Sequence, residues 1–419
     1  MTSLKKAQID VVKENPNLPM QLKFEVSSPE TIKKLLAVKD LTLPTENGEE
    51  RNIIGKVYDE VIKKLTEHNF PNINVVRGDP NVLASENFDS LLFSIGNPGR
   101  SSTYTRYTDE DHVLQTHTSA LIPQTFKKIS ADMKAHEIGD SAGENNARDS
   151  QKIDRTTFVL PGLAYRRDVI DPRHLDVFHQ IDVWTLQENA THGKVNRENL
   201  LELARTVFEA ACPDAKMIVL EAKHPYTIEG IEVYAGVDGK EIEVFEAGLA
   251  HPEVLRNCGI DPEKYSGLAL GMGIERLIMA RKNLPDIRLI RSVDPRVTKQ
   301  MTNMEAFKNV SDQPAISRDM SYVVGKNDTE EDICEAIREA FGDKSDLLEE
   351  VKIMERTPFE KLHPKAVEKL GASEGQDNVL VRITLRHPDK TLVKEEAAEL
   401  YTMAYPKLHK GSTGGYEVK

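Results

Sequence analysis

The chain has 419 residues, of which 39% are hydrophobic and 29% charged, with a formal net charge of −13. That length exceeds one ordinary core and predicts two or three domains of a soluble globular protein. The acidic balance excludes indiscriminate polyanion binding, but it leaves room for a local basic face for RNA, because steering follows the distribution of charge.

Three cysteines, Cys212, Cys258 and Cys334, lie far apart without metal-ligand spacing, which predicts no disulfide framework and a reducing compartment. No apolar run reaches the length of a membrane span, so no membrane partner is expected. The start mixes Lys5, Lys6 and Lys13 with Asp10 and Glu14 and lacks the apolar stretch of a signal peptide. The expected compartment is the cytoplasm, with an organellar matrix as the alternative.

Residues 1–47 have weak periodicity and read as an N-terminal extension. Within them Ser28 followed by Pro29 predicts the cap and first turn of a short helix, and Leu43-Pro44 to Gly48 reads as a linker. Asn52 to Phe70 is an amphipathic helix, with Ile53, Ile54, Val57, Tyr58, Val61, Ile62 and Leu65 at helical spacing. Ile73 to Val76 follows as a strand, ended by Gly78-Asp79-Pro80. Asn87-Phe88-Asp89 and LQTHTSALI (Leu114 to Ile122) come next; taken alone, the histidine in the second string is more commonly a structural residue than a ligand. The polar run GDSAGENNARDSQK (Gly139 to Lys152) predicts a mobile surface loop.

Pro161 to Trp184, PGLAYRRDVIDPRHLDVFHQIDVW, is the densest stretch. Apolar flanks surround a polar middle that carries the turn signal Asp171-Pro172, which predicts two antiparallel strands joined by a loop of roughly ten residues. An arginine fork pairs with phosphate, an aromatic face stacks on a base, and a nearby carboxylate accepts from an amino group. Such a hairpin can clamp a nucleotide.

Asn199 to Ala211 is a second amphipathic helix. Lys223 to Ala235 and Glu241 to Ala250 read as strands around the turn signal Asp238-Gly239. Ser266 to Arg281, SGLALGMGIERLIMAR, is a glycine-rich strand end entering a helix, and its glycines permit close approach of a ligand to the backbone. After a connector, Asp294 to Ala315, a unit of about 100 residues begins, a common domain size. It reads as a strand (Met320 to Val324), a helix (Glu330 to Phe341) capped by Thr329 with Asp332, strands Glu349 to Met354 and Val379 to Leu385, a helix (Lys394 to Tyr405) and a closing strand near Tyr416 to Val418. That order is ferredoxin-like.

The string Y-R-R-D-x-x-D-x-x-H-x-x-x-F-H-Q-x-D resembles motif 2 of the class II aminoacyl-tRNA synthetases, in the form found in phenylalanyl-tRNA synthetases. The G-x-G-x-E-R about 95 residues later resembles motif 3, and the helix–strand–Pro unit stands where motif 1 would be. The resemblance covers roughly residues 50 to 419. It implies an α+β fold: a class II antiparallel sheet flanked by helices (48–307), then a ferredoxin-like anticodon-binding domain (308–419), which R-D-x-S and T-L-x-x-E-E also resemble.

It further implies ATP and Mg²⁺, an amino acid and tRNA as partners, and a monomer or homodimer. Arg166 would hold the α-phosphate and the amino-acid carboxylate, and Asp168 would sit near the adenine amino group. Phe178 and Arg276 would enclose adenine, with His174 facing the outer phosphates and Glu243 near Mg²⁺. His117 and Ser119 would bind the α-amino end; Gln180, Asp182, Ala269 and Gly271 would line the amino-acid pocket. Four pocket positions depart from the family. His224-Pro225-Tyr226 replaces a Phe-Pro-Phe, Glu246 stands where relatives carry Gly, and Asp182 replaces Glu; further upstream, PGRSSTYTRY (Pro98 to Tyr107) lacks the family's carboxylates. The expected function is ATP-dependent charging of tRNA with phenylalanine. The alternative is a paralogous ligase for a more polar amino acid, with a non-tRNA acceptor as one form of it.

Overall fold

The computed structural model describes residues 22–45, 50–142, 154–237, 240–310, 314–387 and 390–413. The chain divides into two compact units. The first comprises residues up to Arg166, Val177–Lys282 and Thr302–Met304; the second comprises Arg167–Asp176, Asn283–Met301 and Glu305 onward. This differs in detail from a cut at residue 308. The described N-terminal residues cluster with the first unit, and 283–301 cluster with the second, as do the ten residues 167–176.

In the first unit, α1 (Pro29–Leu36) starts at Ser28, whose side chain accepts from the Thr31 N–H. α2 (Ile53–Glu67) starts at Asn52, which caps the Ile54 N–H. Ile53, Ile54, Val57, Val61 and Leu65 of α2 are buried. Its β-branched residues cost a few tenths of a kcal/mol each in helix propensity, whereas burial stabilises by roughly 1.5–3 kcal/mol per side chain, so packing decides the conformation. α2 packs on α4 (Arg197–Ala211), which begins with a reciprocal cap between Asn196 and Asn199.

Among the described residues the central sheet has eight strands. β1 (Ile73–Val75) lies parallel to β4 (Arg155–Tyr165), and the other pairings are antiparallel: β4 with β5 (Val177–Glu188), then β10 (Leu268–Gly273), β8 (Lys240–Ala250), β7 (Thr227–Val237) and β6 (Lys216–Glu221). A short β9 (Tyr265–Ser266) pairs with β5, and β2 (Asn81–Leu83) with β3 (His112–Leu114) forms a separate ribbon. The β4–β5 hairpin is the one the sequence predicts. The strand expected from Lys223 begins only at Thr227, because Pro225 has no N–H for a ladder and His224 sits in the preceding turn.

α3 (Ile122–Ala142) and β6 are not foreseen by the sequence reading; α3 takes the first residues of the expected polar loop, whose remainder lies outside the described residues. The Asp238-Gly239 turn and residues 46–48 of the expected linker are also outside them.

Among the described residues the second unit carries a three-stranded antiparallel sheet in the order β11 (Ile316–Gly325), β13 (Gln376–Leu385), β12 (Leu348–Pro358). α7 (Glu330–Phe341) has the expected Thr329–Asp332 capping box, and α8 (Pro364–Leu370) and α9 (Lys394–Leu408) follow in sequence. The order 1–3–2 with a helix after the first strand agrees with a ferredoxin-like arrangement; the expected last strand near Tyr416 is outside the described residues. Ile170 is buried in this unit's core with Met320, Ile333 and Val381, and its carbonyl accepts from the Val351 N–H at 2.9 Å.

Candidate active site

β5 organises the first unit's site through its alternation. Side chains two apart share a face, so Gln180, Asp182 and Trp184 project one way and His179, Ile181 and Val183 the other. Register carries the first set across the sheet. Asp182 is opposite Gly271, which is opposite Glu246, which is opposite Glu232; Trp184 is opposite Ala269, then Gly248; Gln180 faces Gly273. Gly271 is needed here: a Cβ would lie 3.1 Å from Asp182 Oδ1 and 3.3 Å from Gln180 Nε2.

On the opposite face His179 is fully buried. The Leu41 N–H donates to its Nε2 at 2.8 Å, so the ring proton is on Nδ1, which donates to Glu275 Oε1 at 2.6 Å. Both Glu275 oxygens also accept from the His179 backbone N–H at 2.9 Å. This locks β5 to α6 (Ile274–Lys282), from whose first turn Arg276 projects as an exposed residue.

Asp182 is fully buried. Its Oδ2 accepts from the Ser119 N–H at 2.7 Å and hydroxyl at 2.5 Å, and Trp184 Nε1 donates to the same Ser119 oxygen at 2.8 Å. Oδ1 has no partner by hydrogen-bond geometry. Burial raises the Asp182 carboxyl from 3.8 to about 6, against the opposing hydrogen bonds of Ser119. His117 Nε2 stands 3.1 Å from the Asn87 carbonyl, so that nitrogen carries the proton and buried Nδ1 presents a free lone pair. Burial, then the charge of Arg166, lowers its pKa from 6.5 to about 3.

Aromatic rings gather beside these polar groups. Tyr226 stacks on Trp184 with centroids 5.8 Å apart and on His117 at 6.4 Å; Phe93 lies 6.1 Å from Tyr226 and stacks on His117 at 5.5 Å. Burial pushes the Tyr226 hydroxyl well above its usual range. Glu246 is not the fully buried carboxylate that a replaced pocket glycine suggests. It is half-exposed, and its Oε2 lies 3.4 Å from His224 Nε2. Burial raises its pKa; His224 opposes this, and the charges of Glu243 and Glu232 add to it. Glu243 itself is exposed on β8, opposite Tyr234.

Arg166, at the end of β4, donates from Nε to the Thr116 carbonyl at 3.0 Å, and its guanidinium carbon stands 5.0 Å from the Phe178 ring centroid. Asp168 and His174 belong to the second unit. Asp168 Oδ1 caps the Val169 N–H and its carbonyl accepts from Arg338 Nη2 at 2.9 Å, while His174 Nδ1 pairs with Asp171 at 2.9 Å. The first unit therefore brings together Arg166 with Phe178, and His117, Ser119, Gln180, Asp182, Tyr226, Ala269 and Gly271 around one face of the sheet.

Residues 39–301 match the family described as tRNA synthetases class II core domain (F). The chain belongs to the class II tRNA synthetases. The synthetase is 34% identical over 282 residues to the phenylalanine–tRNA ligase alpha subunit of Chlamydia caviae, spanning 63% of this chain and 72% of that one. It is 26% identical to the mitochondrial phenylalanine–tRNA ligase of Saccharomyces cerevisiae, over 92% of both chains. No helix among its described residues is long and apolar enough to cross a membrane. Three residues of this cluster, Phe93, Trp184 and Glu232, escape the sequence reading. Trp184 was within reach, two positions beyond Asp182 on the same strand face; Glu232 reaches the site only through the β7–β8 register, which contains two irregularities.

Proposed function

We propose that this synthetase is a phenylalanine–tRNA ligase acting through an aminoacyl-adenylate. The observation that carries the reading is the juxtaposition of a buried carboxylate, Asp182, with the aromatic faces of Tyr226, Trp184 and Phe93. An ammonium group needs the first and a phenyl ring the second. Gln180 and the lone pair of His117 Nδ1 supply further acceptors for the ammonium, and the glycine at 271 leaves the space. The Glu246 carboxylate lies 3.4 Å from His224 Nε2.

In the first step an oxygen of the amino-acid carboxylate attacks the ATP α-phosphorus in line, and the bond to pyrophosphate breaks. Arg166 stabilises the charge that grows on the α-phosphate, and Phe178 beside it offers a stacking platform for adenine. Arg276, exposed at the start of α6, is the second cation for the phosphates. In the second step the terminal ribose hydroxyl of tRNA attacks the mixed anhydride, releasing AMP. The ferredoxin-like unit serves as the anticodon-binding element.

Class II synthetases use ATP with Mg²⁺. Exposed Glu243 fits a Mg²⁺ partner, since that ion binds through one or two carboxylates together with nucleotide phosphates and neutralises their charge.

The test is pyrophosphate exchange across the amino acids, by wild type and by Glu246→Gly. Phenylalanine should be the best substrate of the wild type and should stay so in the variant. If the wild type ignores phenylalanine and activates an amino acid bearing a donor or a cation, while Glu246→Gly gains phenylalanine, the polar-substrate paralogue replaces this reading.

Asp182 gives the exchange reaction a pH dependence. As an acid kept neutral by burial, it favours the fold below pH 3.8 and loses that contribution as pH rises to about 6. Ammonium binding runs the other way and needs the ionised form. Exchange at low phenylalanine should therefore rise with pH through an apparent pKa near 6, and saturating phenylalanine should move the midpoint lower. Asp182→Asn should lack this limb and show a raised KM; an unchanged limb in that variant would assign it to another group.

A further inference from the structure

We propose that His224, Glu232 and Glu246 form a binding site for one divalent transition-metal ion of the zinc class on the wall of the amino-acid pocket. One ligand atom from each lies within 4.8 Å of the other two. The register explains the meeting. Glu232 and Glu246 are direct partners on β7 and β8 and share a face, and His224 enters from the turn that precedes β7.

His224 distinguishes this cluster from an ordinary acidic patch. Its side chain is only 7% exposed, yet Nε2 makes no hydrogen bond and points at the carboxylates. Nδ1 is 3.2 Å from Thr227 Oγ1. Donation of Nδ1–H to that hydroxyl leaves the lone pair on Nε2, the arrangement in which a metal-bound imidazole is oriented by its second nitrogen. Glu232 has a matching support: the Tyr234 hydroxyl donates to its Oε2 at 2.9 Å.

The separations suit the ion. Two donors about 2.0–2.2 Å from a tetrahedral centre stand about 3.4 Å apart, and His224 Nε2 and Glu246 Oε2 are 3.4 Å apart. A small movement of the half-exposed Glu232 carboxylate completes three protein ligands, and water holds the fourth position. One imidazole with two carboxylates favours a borderline cation; Mg²⁺ prefers oxygen alone. The ion also has a use. It neutralises two facing carboxylates and keeps Glu246 from turning towards the aromatic wall.

The test uses the full-length chain, freed of metal by a chelator and without ATP or amino acid, so its failure leaves the ligase reading standing and the reverse holds as well. Zn²⁺ is titrated against a chromophoric chelator, and Co²⁺ is followed by its visible ligand-field absorption. One equivalent should bind, with the absorption intensity of a four- or five-coordinate ion. His224→Gln and Glu232→Gln should each weaken Zn²⁺ binding on the order of a hundredfold, while Glu241→Gln, an exposed acid on β8, should not. Circular dichroism checks the fold of each variant, and two separate ligand variants keep the test alive if one fails to fold. Absence of a bound equivalent, or equal affinity in a folded His224→Gln or Glu232→Gln protein, overturns the site.

Discussion

Arg166→Ala should lower ATP–pyrophosphate exchange about 10²–10³-fold while the protein stays folded, because one preformed charge contact to a developing oxyanion is worth roughly 2.7–4 kcal/mol. The residue is exposed, and its contacts include a hydrogen bond to the Thr116 carbonyl and a cation–ring contact with Phe178. Contacts of this kind contribute about 1 kcal/mol each or less at such a site. A stopped reaction in a protein with near wild-type melting is therefore the expected pair of results. Exchange at wild-type rate by the folded variant removes Arg166 from the chemistry. Arg166→Lys separates charge from geometry: an ammonium keeps the positive charge but loses the planar fork, so it should recover only part of the rate.

The largest effect on stability belongs to Glu275→Ala. Glu275 is 2% exposed and is the acceptor for both the backbone N–H and the Nδ1–H of His179, itself fully buried. Removing it strands two donors that water cannot reach. Breaking a buried pair of this kind costs about 3–5 kcal/mol, which lowers the melting temperature of a unit this size by roughly ten degrees. Calorimetry measures it. Glu275→Gln keeps one oxygen in place and should lose distinctly less. A melting temperature within two or so degrees of wild type in the alanine variant shows that β5 and α6 are held by apolar packing instead.

Both residues stand in strings that could be read before any coordinates. Local signals did well where one interaction decides an element: Ser28 before Pro29, Asn52 before an aliphatic stripe, Thr329 with Asp332. They did well again in the β4–β5 hairpin, where apolar flanks and a turn agree. They failed where the deciding partner is distant. α3 carries little amphipathic pattern over its 21 residues, so nothing local announces it. The polar environment of Glu246 depends on a cross-strand neighbour, Glu232, placed by a register that two irregularities shift. Glu246 is half-exposed and faces His224.

Residues 167–176 illustrate the same limit, with a consequence for synthesis. Ile170 leaves the ribosome about 180 residues before Val351, the residue whose N–H meets its carbonyl, and well before Ile333 and Val381 of the same core. At about 5–20 residues per second that interval lasts roughly 10–35 s. Throughout it an isoleucine destined for a core has no cover. Ribosome-bound chains halted before residue 330 should therefore show this segment open to protease and to chaperones that grip apolar peptide, and completion of the second unit should close it. Synthesis of the second unit's core residues thus decides when the segment between β4 and β5 is covered.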